Sequence, residues 1–245
     1  DGGWRLPSRR SDVAALEAVK TVSQTMRAFE SAYPRPIVTV WRGSISDMLQ
    51  VTHLSLVDKR FVYDPIFAYG YMYIMSTLLD KYPVDGEKDK LLDATLRALD
   101  LETKVVRGDD AEIKAWLDGK TEADVLAAAD SPSASKINRA LASIKSNDDY
   151  LHTRSGNVGF LTMIDAVGGK PDNTTIARWA DAFSLRKRSL ERDAVSLKEI
   201  REKMNQAMQL VKSLEIREKK RMADQLEKKA KEAQEKADSA AAAAA

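Results

Sequence analysis

Residues 184–238 read SLRKRSLERDAVSLKEIREKMNQAMQLVKSLEIREKKRMADQLEKKAKEAQEKAD, a run with no glycine and no proline. At ~1.5 Å per residue, a continuous helix over this run would be about 80 Å long. Its apolar residues recur at a heptad spacing. Leu190, Leu197, Met204 and Val211 are seven apart, and Ile200, Ala207 and Leu214 form a second row. That is the a/d seam of a coiled coil. Asp193 breaks the first d position, and the register fails at Glu218 and Arg221. Met222, Leu226, Ala230, Ala233 and Ala237 then continue as a shifted, weaker stripe.

The charges support a solvated helix. Glu199 precedes Lys203, Glu215 precedes Lys219, and Glu227 precedes Lys231, each an acid-first pair four residues apart. A seam of this kind needs a partner. It can fold back on its own chain, pair with a second copy, or dock on another protein. The expected organisation is a long helix over 185–238, with 190–214 packed at home and 215–238 projecting as an arm. Arg186, Lys187 and Arg188, with Arg217, Lys219, Lys220 and Arg221, are the candidate interaction residues. Acids alternate with these bases and no aromatic lies between them to stack on a nucleobase, so nucleic acid is not the expected partner.

The chain has 245 residues, 44% hydrophobic, with a formal net charge of +2. That is enough apolar surface for a core, and a balance that names no polyanionic partner. With no cysteine there is no disulfide and no thiolate chemistry. With two histidines, His53 and His152, a histidine-rich metal site is excluded. The longest uncharged run, Ile66–Leu79, carries three tyrosines and is shorter than the roughly 20 residues a membrane span needs. The chain opens on Asp1 rather than Met, as expected for a processed product.

Taken in order, residues 1–11 form a flexible leader in which Trp4 can anchor, and Ser11 or Asp12 caps a first helix running to about Ala32. Tyr33-Pro34-Arg35-Pro36 ends that helix, because each proline lacks an N–H and pushes its predecessor out of the α region. A second helix is expected over 39–59, with His53 beside its inner face. Asp64-Pro65 is the sharpest local signal: Asp accepts an orphan N–H, and Pro suits the first helical position. The helix from Pro65 to about Lys81 is apolar nearly all round and belongs at the centre of a bundle, with Gly70 allowing a close neighbour. Helices follow at about 87–99, 157–167 and 174–183. Residues 100–150 read as short helices near 109–118, 121–129 and 134–146, in an insertion or mobile flap. Residues 239–245 form a low-complexity tail, with the alanine run from Ala240 expected to fray. The fold class is all-α, a helical bundle of residues 12–184 followed by the long coiled-coil-like C-terminal helix.

Four segments, in this order, resemble the thylakoid formation proteins, also described as photosystem II biogenesis proteins of chloroplasts and cyanobacteria. They are Thr21-Val22-Ser23-Gln24-Thr25 with Phe29; Ala32-Tyr33-Pro34-Arg35-Pro36-Ile37; His53-Leu54 followed by Tyr63-Asp64-Pro65-Ile66-Phe67-Ala68-Tyr69-Gly70; and Lys187-Arg188-Ser189-Leu190-Glu191-Arg192-Asp193. The likeness is specific over 20–82, looser over 152–215 and slight over 85–150. Val38-Thr39 stands where the family usually has Pro-Ser, and Tyr69 where it usually has Leu, which marks a divergent member. The resemblance implies a non-enzymatic accessory protein at the stromal side of the chloroplast thylakoid. Its implied partners are membrane-bound complexes, photosystem II and the FtsH protease, and its implied role is photosystem II assembly and repair. The family brings no catalytic residues and no cofactor. Its structural motif residues are Tyr33, Pro34, Arg35, Pro36, Tyr63, Asp64, Pro65 and Gly70.

Three functions compete at this point. An interaction scaffold, with homodimerisation through the C-terminal helix as one version, agrees with both the seam and the resemblance. An enzyme would have to use Asp47, His53 and Asp58, whose spacings of six and five do not share a helix face. A peripheral membrane-surface module, or a coiled-coil module unrelated to photosystem II, would use the basic clusters on anionic lipid or on another helix.

Overall fold

The computed structural model describes residues 19–243, and their side chains through Lys231. Every regular element among the described residues is helical. The elements are α1 (Val22–Ala32), α2 (Thr39–Leu56), α3 (Pro65–Leu79), α4 (Lys88–Ala98), α5 (Thr103–Leu117), α6 (Glu122–Leu126) with a 3-10 turn at Ala128–Asp130, α7 (Lys136–Lys145), α8 (Arg154–Ala166), α9 (Asn173–Ala182) and α10 (Lys187–Ala243). The chain divides into two units, one up to Arg201 and one from Glu202.

In the first unit, α3 lies at the centre. Its N-cap Asp64 accepts a hydrogen bond from the Phe67 amide at 2.8 Å, and Pro65 occupies the first turn, where its missing donor costs nothing. Ile66, Phe67, Ala68, Gly70 and Tyr71 bury every side of its first two turns. α3 packs chiefly on α8 and, on another side, on α5. Two glycines set the α3–α8 distance. A Cβ on Gly70 would lie 1.8 Å from the Ser155 carbonyl oxygen, and one on Gly159 would lie 2.3 Å from that of Ile66. The two backbones therefore touch directly, a separation that a methyl group on either side forbids.

α1 starts later than the sequence predicts. A helix from Ser11 or Asp12 would run through Val19–Thr21, but these residues are not helical. The reason is a capping box: the Thr21 hydroxyl accepts from the Gln24 amide at 3.2 Å, and the Gln24 side chain accepts from the Thr21 amide at 2.7 Å. The leader, Trp4 and the expected helix start at Ser11 or Asp12 lie outside the described residues.

Residues 100–150 are packed structure, not a flap. Val106, Ile113 and Leu117 of α5, Val125 of α6 and Ile137, Leu141 and Ile144 of α7 are all buried. Most of them join Phe160, Trp179 and Phe183 in one apolar cluster. α5 begins at Thr103, six residues before its sequence-predicted start, because Asp109 and Asp110 read as solvated when each is buried with a partner.

The long helix begins at Lys187 rather than Leu185. Ser184 adopts φ 55°, and the Leu185 amide reaches back to the Ala180 carbonyl at 2.8 Å. That is the left-handed closing turn of α9, in which Ser takes the place usually held by glycine. α10 then runs unbroken through Ala243, so the start of the alanine tail is helical rather than frayed. Within the first unit, Leu190 and Leu197 are buried, and Arg201 stacks on and donates to Tyr73. In the second unit, Met204 and Ala207 are buried, but Leu210, Leu214, Ile216, Met222 and Leu226 are between 49% and 68% exposed.

Candidate functional site

The residues just before α3 build the most elaborate polar cluster of the first unit. Tyr63 donates its hydroxyl to Asp109 Oδ2 of α5 at 2.9 Å. Asp109 also takes an ion pair from Lys136 of α7, which reaches Glu112 at 3.4 Å. Asp64 uses Oδ1 for the α3 cap and accepts on Oδ2 from the Tyr150 hydroxyl at 3.2 Å. Asp109 of α5 and Tyr150, far apart in the chain, thus converge on one dipeptide, with Lys136 of α7 bound to Asp109. Burial raises the Tyr63 and Tyr150 phenols well above their usual range, so both stay protonated as donors. Burial also pushes the Asp64 carboxyl up to about 6, against the stabilising amide of Phe67 and hydroxyl of Tyr150.

A pocket of about 270 Å³ opens at this junction. Val62, Pro65, Ala140 and Ile144 give it apolar walls, and Tyr63, Asp64, Lys136, Arg139, Ser143, Asn147 and Tyr150 supply polar groups.

The other motif residues serve a second knot. Tyr33, the C-cap of α1, donates to Glu87 Oε2 at 2.9 Å, while Arg35 and Lys90 reach Oε1 at 2.6 and 2.8 Å. Glu87 is buried, and Lys90, Tyr33 and Arg35 hold its carboxyl below the usual range. Pro34 and Pro36 are exposed and shape the turn between α1 and α2. A third knot joins α8 to α10: Asn157 Nδ2 donates to Asp193 Oδ2 at 2.6 Å and to Ser189 Oγ at 2.8 Å. Asp193, the residue that breaks the heptad seam, is buried because α8 supplies its partner.

Arg186, Lys187 and Arg188 are exposed in the first unit, with Lys187 3.7 Å from Glu191. Arg186 lies close enough to His152 to add to the burial that depresses its imidazole. Arg217, Lys219, Lys220 and Arg221 are exposed in the second unit. The structure therefore places the two basic clusters in different units.

Catalytic roles for Asp47, His53 and Asp58 find no shared site. Asp47 is exposed, His53 is buried against the Thr25 hydroxyl at 3.0 Å, and Asp58 pairs with Arg60 at 2.7 Å. Among the described residues, no three His, Asp or Glu side chains group as metal ligands, and no helix is long and apolar enough to cross a membrane.

Sequence reasoning missed Glu87, Asp109, Tyr150 and Asn157, all of which complete knots from distant elements. The one available signal was Asp193, a carboxylate at a seam position that demanded a buried partner.

An all-helical bundle closed by a long C-terminal helix, with polar knots around Tyr33, Tyr63-Asp64 and Asp193, is the class of protein these elements define. The family model described as Thylakoid formation protein matches residues 21–226, and the chain belongs to that family. It is 26% identical over 198 residues to Protein THYLAKOID FORMATION 1, chloroplastic, of Arabidopsis thaliana, covering 79% of this chain and 65% of that protein. It is 28% identical over 202 residues to Protein Thf1 of Thermosynechococcus vestitus, covering 81% of this chain and 88% of that one. The chain thus spans a little under two thirds of the Arabidopsis protein and most of the cyanobacterial one. A solved structure of Psb29 superposes with a TM-score of 0.74 at 28% identity, covering 83% of this chain and 99% of that chain.

Proposed function

We propose that this chain is a non-enzymatic accessory protein at the stromal side of the chloroplast thylakoid, supporting photosystem II assembly and repair by holding membrane-bound complexes, photosystem II subunits and the FtsH protease among them. The first unit is the folded body. The C-terminal helix beyond it is the interaction arm. One observation carries this reading: Leu210, Leu214, Ile216, Met222 and Leu226 are exposed on a helix whose match to the thylakoid formation family runs to residue 226. Apolar residues at that density on a solvated helix are the anchors a partner helix or groove takes up.

Deleting residues 216–245 tests it. The truncated chain keeps the helicity and melting transition of the first unit, and loses co-purification with thylakoid complexes as read by mass spectrometry. Unchanged co-purification overturns the arm. A sedimentation shift proportional to chain concentration, with no thylakoid partner, makes a second copy the occupant instead.

A second reading rests on exposed Arg186 and Arg188, and on Arg217, Lys219, Lys220 and Arg221, none of which forms an ion pair with another described residue. A peripheral membrane role predicts binding to anionic vesicles that collapses as salt rises, because exposed charges are screened within ~10 Å at 0.1 M. No binding at low salt removes it.

A further inference from the structure

The pocket in front of α3 carries one uncompensated charge of each sign. Asp64 lines it, takes only neutral donors and has no cation partner among the described residues. Arg139 lines it, is exposed, and has no anionic partner among the described residues. The neighbouring charges are already matched: Lys136 is held by Asp109 and Glu112, and Asp109 is held by Lys136 and Tyr63. Val62, 64% exposed, with Pro65, Ala140 and Ile144, gives the same pocket apolar walls.

The cap function of Asp64 explains one oxygen, not why the other is left to a single phenol in a partly apolar cleft. A carboxylate removed from water without a cation is costly, and a ligand ammonium recovers that cost. The upward displacement of the Asp64 carboxyl is what such a group shows. A free guanidinium in the lining of the same pocket selects a carboxylate. The volume sits at the lower edge of ordinary ligand pockets, roughly 300 Å³ and upward, which limits the ligand to a small molecule.

We propose that this pocket binds a small zwitterion, an ammonium and a carboxylate on one apolar body, with the ammonium at Asp64, the carboxylate at Arg139 and the apolar group against Val62 and Ile144. Free α-amino acids with apolar side chains are the chemical class.

The test uses the full chain, labelled with nitrogen-15 and titrated with L-phenylalanine, 2-phenylethylamine and 3-phenylpropionate. The amides of residues 62–64 and 136–150 move with L-phenylalanine, with an affinity on the order of millimolar. Each single-charge analogue binds at least about fivefold more weakly. Asp64→Asn, which keeps the cap, removes the advantage over 3-phenylpropionate. Arg139→Gln, at an exposed position, removes the advantage over 2-phenylethylamine. The proposal is overturned if no amide moves with L-phenylalanine, if either analogue binds as well, or if both variants bind it as the parent does.

Discussion

α3 and the part of α10 beyond Arg201 are both α-helix, for opposite reasons. α3 contains no charged residue, and it carries tyrosines, isoleucines and a glycine, which are indifferent or poor helix formers in water. It is helical because α8 and α5 enclose it and leave its backbone no other way to satisfy its hydrogen bonds. The distal α10 is rich in Glu, Lys, Ala, Gln and Leu, the strong formers, with acid-first pairs such as Glu227–Lys231 at 2.8 Å. It holds its helix by local preference and leaves Leu210, Leu214, Ile216, Met222 and Leu226 exposed. Shape in the first case is fixed by packing, and in the second it is nearly independent of it.

The largest expected effect therefore falls on the α3–α8 contact. Gly70→Ala places a methyl group 1.8 Å from a backbone oxygen that cannot swing away. It should cost about 3 kcal/mol or more, beyond ordinary overpacking, because whole helices must separate. Gly43→Ala, inside α2 with nothing within 4 Å, should instead stabilise by about 0.5–1 kcal/mol. Urea unfolding of the two variants reads both signs. A neutral Gly70→Ala would break the contrast between the two helices.

The α8–α10 knot comes next. Asp193→Ala leaves the buried Asn157 amide with Ser189 as its one remaining acceptor and should cost about 1–3 kcal/mol. Replacing both residues together, Asn157→Leu with Asp193→Leu, should recover much of that loss, since an apolar pair removes the demand that the polar pair met. If the double variant is as unstable as the single one, the knot contributes shape rather than hydrogen bonding.

These two sites differ in how far the sequence reveals them. The centrality of α3 could be read directly: Asp64-Pro65 marks its start, and an uncharged stretch too short to span a membrane has to be buried. Gly70 stood out for the same reason, as a gap in an otherwise bulky helix. The Asn157–Asp193 knot could be read only by half, because a polar residue on an apolar seam announces a need without naming what meets it. Residues 100–150 were misjudged for a related reason. Asp109 and Asp110 look solvent-exposed in any window of sequence, and only the tertiary fold brings Tyr63 and Lys136 to one of them. The start of α1 was legible and overlooked, since Thr21 and Gln24 form a capping box by spacing alone. The pocket was not legible at all, because its walls come from three segments whose proximity no local pattern encodes.

The titration of α3's cap gives a smaller, pH-dependent effect. Burial raises the Asp64 carboxyl from 3.8 to about 6, so the folded chain holds its proton more tightly than the unfolded one. Its stabilising contribution is complete below the unfolded value and is lost as pH rises through about 6. Asp64→Asn keeps the cap without the charge, and should gain about 1–2 kcal/mol over the parent at about pH 8 and nothing near pH 3.5. His53 runs the other way. Burial, with Lys20 nearby, lowers its imidazole below 6.5, so its contribution is complete above that value and is lost as pH falls beneath it. His53→Gln should make the acid-side loss shallower as pH falls below 6.5. Thermal melts across that range separate the two slopes.

The smallest effects belong to the distal helix, and their smallness is what the comparison demands. Glu227 and Lys231 are 66% and 72% exposed, so water and salt share their attraction. Glu227→Gln should change global stability by less than about 0.5 kcal/mol. Leu226→Gln, at a residue 68% exposed, should do no more, although the same substitution inside α3 would be ruinous. Both variants should leave the unfolding midpoint of the chain in place. Leu226→Gln alone should weaken the proposed capture of thylakoid complexes, because the side chain it removes is exposed rather than used in the fold. A large drop in stability from Leu226→Gln would mean that this helix, like α3, depends on burial, and the distinction between the two would collapse.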